Sequence, residues 1–316
     1  MNTDFTFQSL HKTTNDCELR LSPCAETGGR PDIKGVGTVF ETNSSDPFST
    51  DSLSLRGIIH GPYCDFSTTL TADFPWVPSR SEGVSATALE ATILEPCYWT
   101  PWLPMEYEFR MVVQMEGGQE HALTLRTGVK RFYAERSNLT LELKRTVLRG
   151  TRMGLPAEND FQAAREHETA LLVSCPELKT CERASRWGVP LVVDLRESPR
   201  PWEEMCRALD WYPAVMVVLA SAEQLAGSQG ARPRNSLLGM VCNATDSWDS
   251  ISLLPFDLLA VELQPSESPP SWSATCGKPV LAIRLGSGQN IAQARRDCDR
   301  LQAELAPAFD LAGYFV

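Results

Sequence analysis

Three neighbouring stretches decide how this chain is organised: Ala91-Thr-Ile-Leu-Glu-Pro-Cys-Tyr-Trp-Thr-Pro-Trp-Leu-Pro104, Arg126-Thr-Gly-Val-Lys-Arg-Phe132 and Leu139-Thr-Leu-Glu-Leu-Lys-Arg-Thr-Val-Leu-Arg-Gly-Thr-Arg-Met153. The prolines of the first fix an extended crossover, and its aromatic residues are expected to pack on the edge of a β-sandwich. Between 131 and 145 the pattern predicts a connecting hairpin, 131–135 with 139–143, turning at Arg136-Ser-Asn138. On either side of this seam the hydrophobic rhythm differs.

Upstream, seven short runs separated by turn residues alternate apolar with polar side chains, as half-buried strands do. They are 18–21, 35–40, 53–59, 68–74, 85–93, 107–113 and 122–126. Seven such strands over 16–130 predict an immunoglobulin-like β-sandwich. Residues 1–15 are polar and are expected to be mobile.

Downstream, apolar β-branched runs alternate with amphipathic spacers. Eight runs fall at 146–148, 170–173, 189–194, 214–219, 237–242, 258–263, 279–284 and 311–316. The spacers 158–168, 177–187, 202–209 and 291–305 have helical spacing. Continuous apolar strands with helical spacers indicate a parallel sheet covered by helices, and eight units indicate a (β/α)8 barrel. Residues 146–316 would make a compact, degenerate barrel, since the fold typically takes about 250 residues. The spacers after runs four, five and six contain Gly227-Ser-Gln-Gly230, Ser247-Trp-Asp-Ser250 and Pro265-Ser-Glu-Ser-Pro-Pro270. Such residues form helices poorly, so short helices are expected there. The last run closes the sequence, so no final helix is expected after it.

Composition narrows the partners. The 316 residues carry a formal charge of −11, with 42% hydrophobic and 22% charged residues. An acidic chain with no basic block has no electrostatic reason to bind nucleic acid. No apolar run reaches the length of a membrane span, and the N-terminus lacks the pattern of a secretory signal. A cytoplasmic location with reduced thiols is therefore expected for the ten cysteines, which form no C-x-x-C pair. His167, in Arg165-Glu-His-Glu168, lacks the second histidine of a zinc helix, so no metal or other cofactor is expected.

The seam resembles that of family 2 glycoside hydrolases, in which an immunoglobulin-like sandwich leads into a catalytic (β/α)8 barrel. Glu95-Pro-Cys-Tyr-Trp-Thr-Pro-Trp-Leu-Pro-Met-Glu-Tyr107 keeps the family's order of Pro, Trp, Pro, Pro and Tyr. Gly128-Val-Lys-Arg-Phe132 is similar to its Gly-Phe/Val-Arg strand. Leu143-Lys-Arg-Thr-Val-Leu-Arg-Gly150 is similar to its Leu-Asn-Gly-Lys-x-x-x-Leu-Arg-Gly stretch, with Leu143-Lys144 where the family has Asn-Gly.

The resemblance implies a retaining mechanism with two carboxylates about 5 Å apart. The acid/base would be the Glu of an Asn-Glu pair after strand four, and the nucleophile a Glu ending strand seven. Here strand four ends Val217-Val-Leu-Ala-Ser-Ala-Glu-Gln224, with no Asn-Glu. Glu223 reads instead as a first-turn acid behind a Ser221 N-cap. Strand seven ends Ile283-Arg-Leu-Gly-Ser-Gly-Gln289, with no carboxylate. The family's Arg-Gly-x-Asn-x-His becomes Arg149-Gly-Thr-Arg-Met-Gly154.

These departures imply a catalytically inactive member, kept as a carbohydrate- or protein-binding or structural module. The alternative is an active glycoside hydrolase with a rearranged pair drawn from Glu223, Asp194, Glu197 and Glu262, for example Asp194 or Glu197 with Glu262. Otherwise these acids are solvated loop charges or partners of Arg152 or Arg284. Arg152, Arg284, Trp248 and Trp272 are the candidate ligand contacts, the two tryptophans as stacking platforms on the barrel's open face. Gly286-Ser-Gly288 could hold a phosphate.

Overall fold

The computed structural model describes residues 5–12, 17–25, 32–33, 38–39, 54–78, 89–93, 95–114, 120–227, 232–284 and 290–316. The chain divides into two compact units, 1–97 with 105–129, and 98–104 with 130–316.

The first unit contains two four-stranded antiparallel sheets. One is ordered β1 (Phe5–Lys12), β2 (Cys17–Ala25), β8 (Leu89–Ile93), β7 (Val77–Pro78). The other is ordered β10 (Glu120–Thr127), β9 (Glu106–Gln114), β5 (Ser54–Tyr63), β6 (Ala72–Pro75). A two-stranded ladder pairs β3 (Asp32–Ile33) with β4 (Thr38–Val39). Residues 5–12, expected to belong to a mobile segment, are a strand paired with β2. Phe5 and Phe7 alternate with polar neighbours, a period-two signal that the polar composition masks. Ile59, Tyr107, Phe109 and Met111 are buried, and Trp76 meets Phe109 edge-on at 5.7 Å between ring centroids.

The expected connecting hairpin is a three-stranded meander. β11 (Phe132–Glu135) pairs with β12 (Asn138–Leu141), which pairs with β13 (Lys144–Thr146). Thr146 therefore belongs to the meander, and the first barrel strand begins two residues later.

A closed barrel follows, formed in order by β14 (Leu148–Met153), β15 (Ala170–Ser174), β16 (Leu191–Asp194), β17 (Val215–Ala220), β18 (Leu237–Asn243), β19 (Leu258–Leu263), β20 (Val280–Arg284) and β21 (Gly313–Phe315). All its pairs are parallel, and β21 closes onto β14. The helices are α1 (Glu158–Glu166), α2 (Leu178–Trp187), α3 (Trp202–Leu209), α4 (Ala222–Gly227), α5 (Trp248–Ile251) and α6 (Ile291–Leu305). A single 3-10 turn, Ser271–Ala274, stands between β19 and β20. The helices after strands four to six are thus reduced to six, four and four residues, where the sequence is rich in Gly, Ser and Pro.

Two devices adapt the small barrel. The long helix α6 lies against β14 and β21, where Cys298 Sγ donates to the carbonyls of Gly150, at 3.1 Å, and Tyr314, at 3.3 Å. Gly150 is required there, because a Cβ would collide with the Phe315 ring and the Ala170 carbonyl. The crossover 98–104 is the second device. It was expected on the sandwich edge, but it groups with the barrel. Trp99 is fully buried in the barrel's core, because its large ring fills space beside α2 and its indole N–H finds the Ser185 carbonyl. Arg165 of α1 holds the same segment. Its Nη1 donates to the Pro101 carbonyl at 2.7 Å and the Trp187 carbonyl at 2.8 Å, and its Nη2 to the Trp102 carbonyl at 3.1 Å.

Candidate functional site

In parallel barrels, chemistry gathers at the C-terminal ends of the strands. Strand parity decides which side chains reach the interior there. Along β19, Leu258 and Ala260 belong to one core cluster and Leu259, Val261 and Leu263 to the other. Glu262 shares the parity of Leu258 and Ala260 and sits near the strand's C-terminal end. Arg152 lies within β14, two residues beyond Gly150, rather than in a loop after the first strand.

An ion-pair network crosses this end of the barrel. Glu262 Oε1 accepts from Arg152 Nη2 at 3.1 Å and from Arg196 Nη2 at 2.8 Å, and Oε2 accepts from Arg196 Nη1 at 3.4 Å. Arg196 also turns back on Asp194, the last residue of β16. Its Nε donates to Oδ1 at 3.0 Å and its Nη2 to Oδ2 at 2.8 Å, while Asp194 Oδ1 takes the Arg196 backbone N–H at 3.1 Å. The hydrogen bond to Asp194 leads the groups that lift the Arg196 guanidinium above its ordinary pKa; burial opposes it and Glu262 adds to it. Arg196 is thus the centre of the network, and nothing in the sequence pattern singled it out.

Of the acids considered, the structure brings together Asp194 and Glu262. One oxygen of each lies 2.8 Å from the same nitrogen, so these oxygens are separated by at most twice that distance. Glu197 is exposed. Its negative charge and that of Asp194 add to burial, the leading cause, in raising the Cys175 thiol's pKa. Glu223 is an exposed residue in the first turn of α4. That helix opens with a reciprocal cap in which Gln224 N donates to Ser221 Oγ at 3.2 Å and Ser221 N to Gln224 Oε1 at 2.9 Å.

Arg284 turns away from the barrel's interior. It shares the parity of Val280 and Ala282, which pack with residues of α6, and it forms a two-pronged pair with Glu304 at 2.8 Å on each prong. Its Nη2 also donates to the Glu267 carbonyl at 3.0 Å. Trp248 and Trp272 face one another, 5.5 Å apart and tilted by 32°. Trp272 Nε1 is occupied by the Asp246 carbonyl at 2.9 Å. Both rings pack on the outer cluster containing Cys242, Leu259 and Val261, over the wall whose helices have shrunk. They seal that wall, so much of each ring is already used. The Gly286-Ser-Gly288 segment lies outside the described residues.

A shallow cleft of about 500 Å³ is lined by residues of α3 and α4, including Trp202, Glu203, Arg207 and Gln224, and by no member of the network. Among the described residues no three His, Cys, Asp or Glu side chains converge as metal ligands would, and no helix is long and apolar enough to cross a membrane. Eight cysteines among the described residues are free thiols. Burial is the leading influence on the deepest of them, pushing Cys181 up to about 12 and Cys298 up to about 11.

Neither family profiles nor curated protein sequences match the chain. Solved structures do. The β-glucuronidase of Lactobacillus rhamnosus superposes with a TM-score of 0.62 at 10% identity, over 99% of this chain and 60% of that one. The β-glucuronidase of Ruminococcus gnavus, solved with D-glucuronic acid, gives 0.62 at 8% identity, over 99% and 60%. A family 2 glycosyl hydrolase of Bacteroides cellulosilyticus gives 0.58 at 12% identity, over 99% and 43%. The chain thus spans 60% of the length of the first two. At these identities the likeness establishes the fold: an eight-stranded parallel barrel with added β-sheets, of the kind found in family 2 glycoside hydrolases.

Proposed function

We propose that this chain is a catalytically inactive relative of family 2 glycoside hydrolases, and that the mouth of its barrel binds a glycan or a protein partner without hydrolysing it. In this reading residues 16–130 form an immunoglobulin-like sandwich, 131–145 connect it, and 146–316 are the degenerate barrel. The observation that carries the reading is the bridging of Asp194 and Glu262 by Arg196. A retaining glycosidase needs one carboxylate free to attack and another free to give up a proton. Here both are engaged by a guanidinium, and strand four ends in Ala220 and Ser221. Arg152, with a side chain 41% exposed, is the network's most accessible member and the contact most available to a ligand.

One observation favours the second reading, an active hydrolase with a rearranged pair. The separation allowed to the Asp194 and Glu262 oxygens overlaps the ~5–5.5 Å of retaining enzymes.

Titration with neutral oligosaccharides, followed by amide chemical shifts, tests the binding role. Shifts centred on Arg152, Arg196 and Glu262 are expected. Shifts confined to other surfaces, or none, would move the role to a protein partner.

A further inference from the structure

The outer wall of the barrel over β18, β19 and β20 carries two thiols. Cys242, near the C-terminal end of β18, shares the outward parity of Leu238 and Met240 and is buried in one cluster with Leu259 and Val261. Cys276 is half-buried and packs on the same cluster, as do Trp248 and Trp272. A short chain of hydrogen bonds holds both cysteines over one patch of wall. Directly after Cys242 the chain turns, Asn243 N donating to Asp246 Oδ2 at 2.8 Å and Asp246 N to the Asn243 carbonyl at 3.1 Å. The Asp246 carbonyl accepts from Trp272 Nε1 at 2.9 Å. The next residue, Ser273, takes the Cys276 thiol on its carbonyl at 3.5 Å, and the Lys278 carbonyl takes it at the same distance. Only the 3-10 turn Ser271–Ala274 stands where a full helix would cover this wall. Electrostatics agrees with the placement. Burial first, then Asp246, pushes the Cys242 thiol up to about 12, and Cys276 adds to them. Among the shifted thiols of the described residues, it is the one raised by another cysteine.

We propose that Cys242 and Cys276 are a disulfide-forming pair, oxidised by a small-molecule disulfide such as oxidised glutathione, and that the link fastens the segment carrying Trp272 and Cys276 to the end of β18. Access sets the order of steps. Cys276, the more exposed thiol, attacks one sulfur of the glutathione disulfide. That S–S bond breaks, and one glutathione leaves as a thiol with the Cys276 proton. Cys242 then attacks the Cys276 sulfur of the mixed disulfide, and its proton leaves with the second glutathione. Two protein thiols are oxidised, and one glutathione disulfide is reduced to two thiols. A thiol raised as far as Cys242 holds little thiolate and reacts poorly with a dissolved disulfide. A mixed disulfide on the same patch of wall offers it a high effective concentration instead. The link would close the chain between β18 and β20 and restrict the unfolded state, which raises stability.

Peptide mapping by mass spectrometry tests this. The folded full chain is incubated with oxidised glutathione, its remaining thiols are alkylated, and it is digested at acidic residues between the two cysteines, such as Asp257 and Glu262. The peptides holding Cys242 and Cys276 are expected to be joined, with the loss of two hydrogens. The melting temperature of the oxidised chain should rise, and a thiol reductant should reverse the rise. Cys276→Ser should abolish the link and leave Cys242 unmodified, whereas Cys242→Ala should stop at a glutathione adduct on Cys276. If thermal unfolding shows that Cys242→Ala is not folded, Cys276→Ser decides alone, since its side chain is only half-buried. Both thiols alkylated in the treated wild-type chain, an adduct on Cys276 that goes no further, or a link to a different cysteine overturns the proposal. A joined pair with an unchanged melting temperature overturns the fastening.

Discussion

Trp99 donates its indole N–H to the main-chain carbonyl of Ser185 at 2.8 Å, across 86 residues of sequence. Ser185 is fixed in turn, its Oγ donating to the Cys181 carbonyl at 2.8 Å and accepting from Ala214 N at 3.3 Å. Trp99 shares a buried cluster with Phe161, Cys181 and Ala184. The crossover thus supplies a core residue of the barrel. Trp99→Ala should destabilise the barrel by about 3–5 kcal/mol, as large-to-small changes at buried aromatics do. A fragment beginning at residue 130 should be similarly weakened. Urea denaturation reads both effects, and a loss near zero would mean that the crossover only rests on the surface.

Gly150 has no room for a side chain, because of the Phe315 ring and the Ala170 carbonyl. Gly150→Ala should cost about 1–3 kcal/mol through overpacking. Pairing it with Phe315→Leu should recover part of the loss, since the ring is one of the two obstacles. Strictly additive losses in the double-mutant cycle would contradict this geometry.

The turn between β12 and β13 places Glu142 at φ 49° and Leu143 at φ 62°. Both lie in the left-handed region that favours Asn and Gly. Leu143 is 73% exposed, so its side chain contributes little to the core. Glu142 Oε1 is buried without a hydrogen-bond partner, and burial raises its carboxyl's pKa. Leu143→Gly should raise stability by about 0.5–1 kcal/mol, the left-handed penalty being partly offset by glycine's freedom in the unfolded chain. A lower melting temperature for this variant would count against the turn as described.

Asp210 lies buried after α3, and its Oδ1 accepts from Arg234 N at 2.8 Å and Asn235 N at 3.0 Å. Burial pushes its pKa from 3.8 up to about 6, against the opposing pull of those two N–H groups. The folded chain therefore holds this proton more tightly than the unfolded chain does. The stability the group contributes is complete below the unfolded value and is lost as pH rises through about 6. Asp210→Asn keeps the acceptor and removes the charge. Relative to wild type, the variant should gain stability between about pH 4 and 7, by on the order of 2–3 kcal/mol at most. A difference that does not change with pH, measured by denaturation across that range, would contradict the buried charge.

The barrel was legible because its signals are local. Ala214–Leu219 is continuously apolar, Leu258–Leu263 is interrupted only by Glu262, and Gly, Ser and Pro mark the places where helices shrink. The fate of Arg284 was also within reach, since Leu281 and Ile283 claim the inner face and leave residue 284 to the outer one. The role of Arg196 was not. A flexible side chain on a loop can reach several partners, and its choice of Glu262, 66 residues away, depends on how the barrel closes. Trp99 was misplaced for a related reason: its neighbours in sequence do not say which unit buries its ring, and Trp102 in the same proline-rich crossover is exposed.

The function we propose is that of a glycosidase-like fold that does not hydrolyse. Turnover of a panel of aryl glycosides by the purified chain tests it most directly. No release above the uncatalysed rate is predicted, for the wild-type chain and for Glu223→Gln and Glu262→Gln alike. Hydrolysis by the wild-type chain that is abolished by Glu262→Gln or Asp194→Asn would contradict the claim and identify those two carboxylates as a working pair. Hydrolysis lost in Glu223→Gln would place the acid on α4 instead.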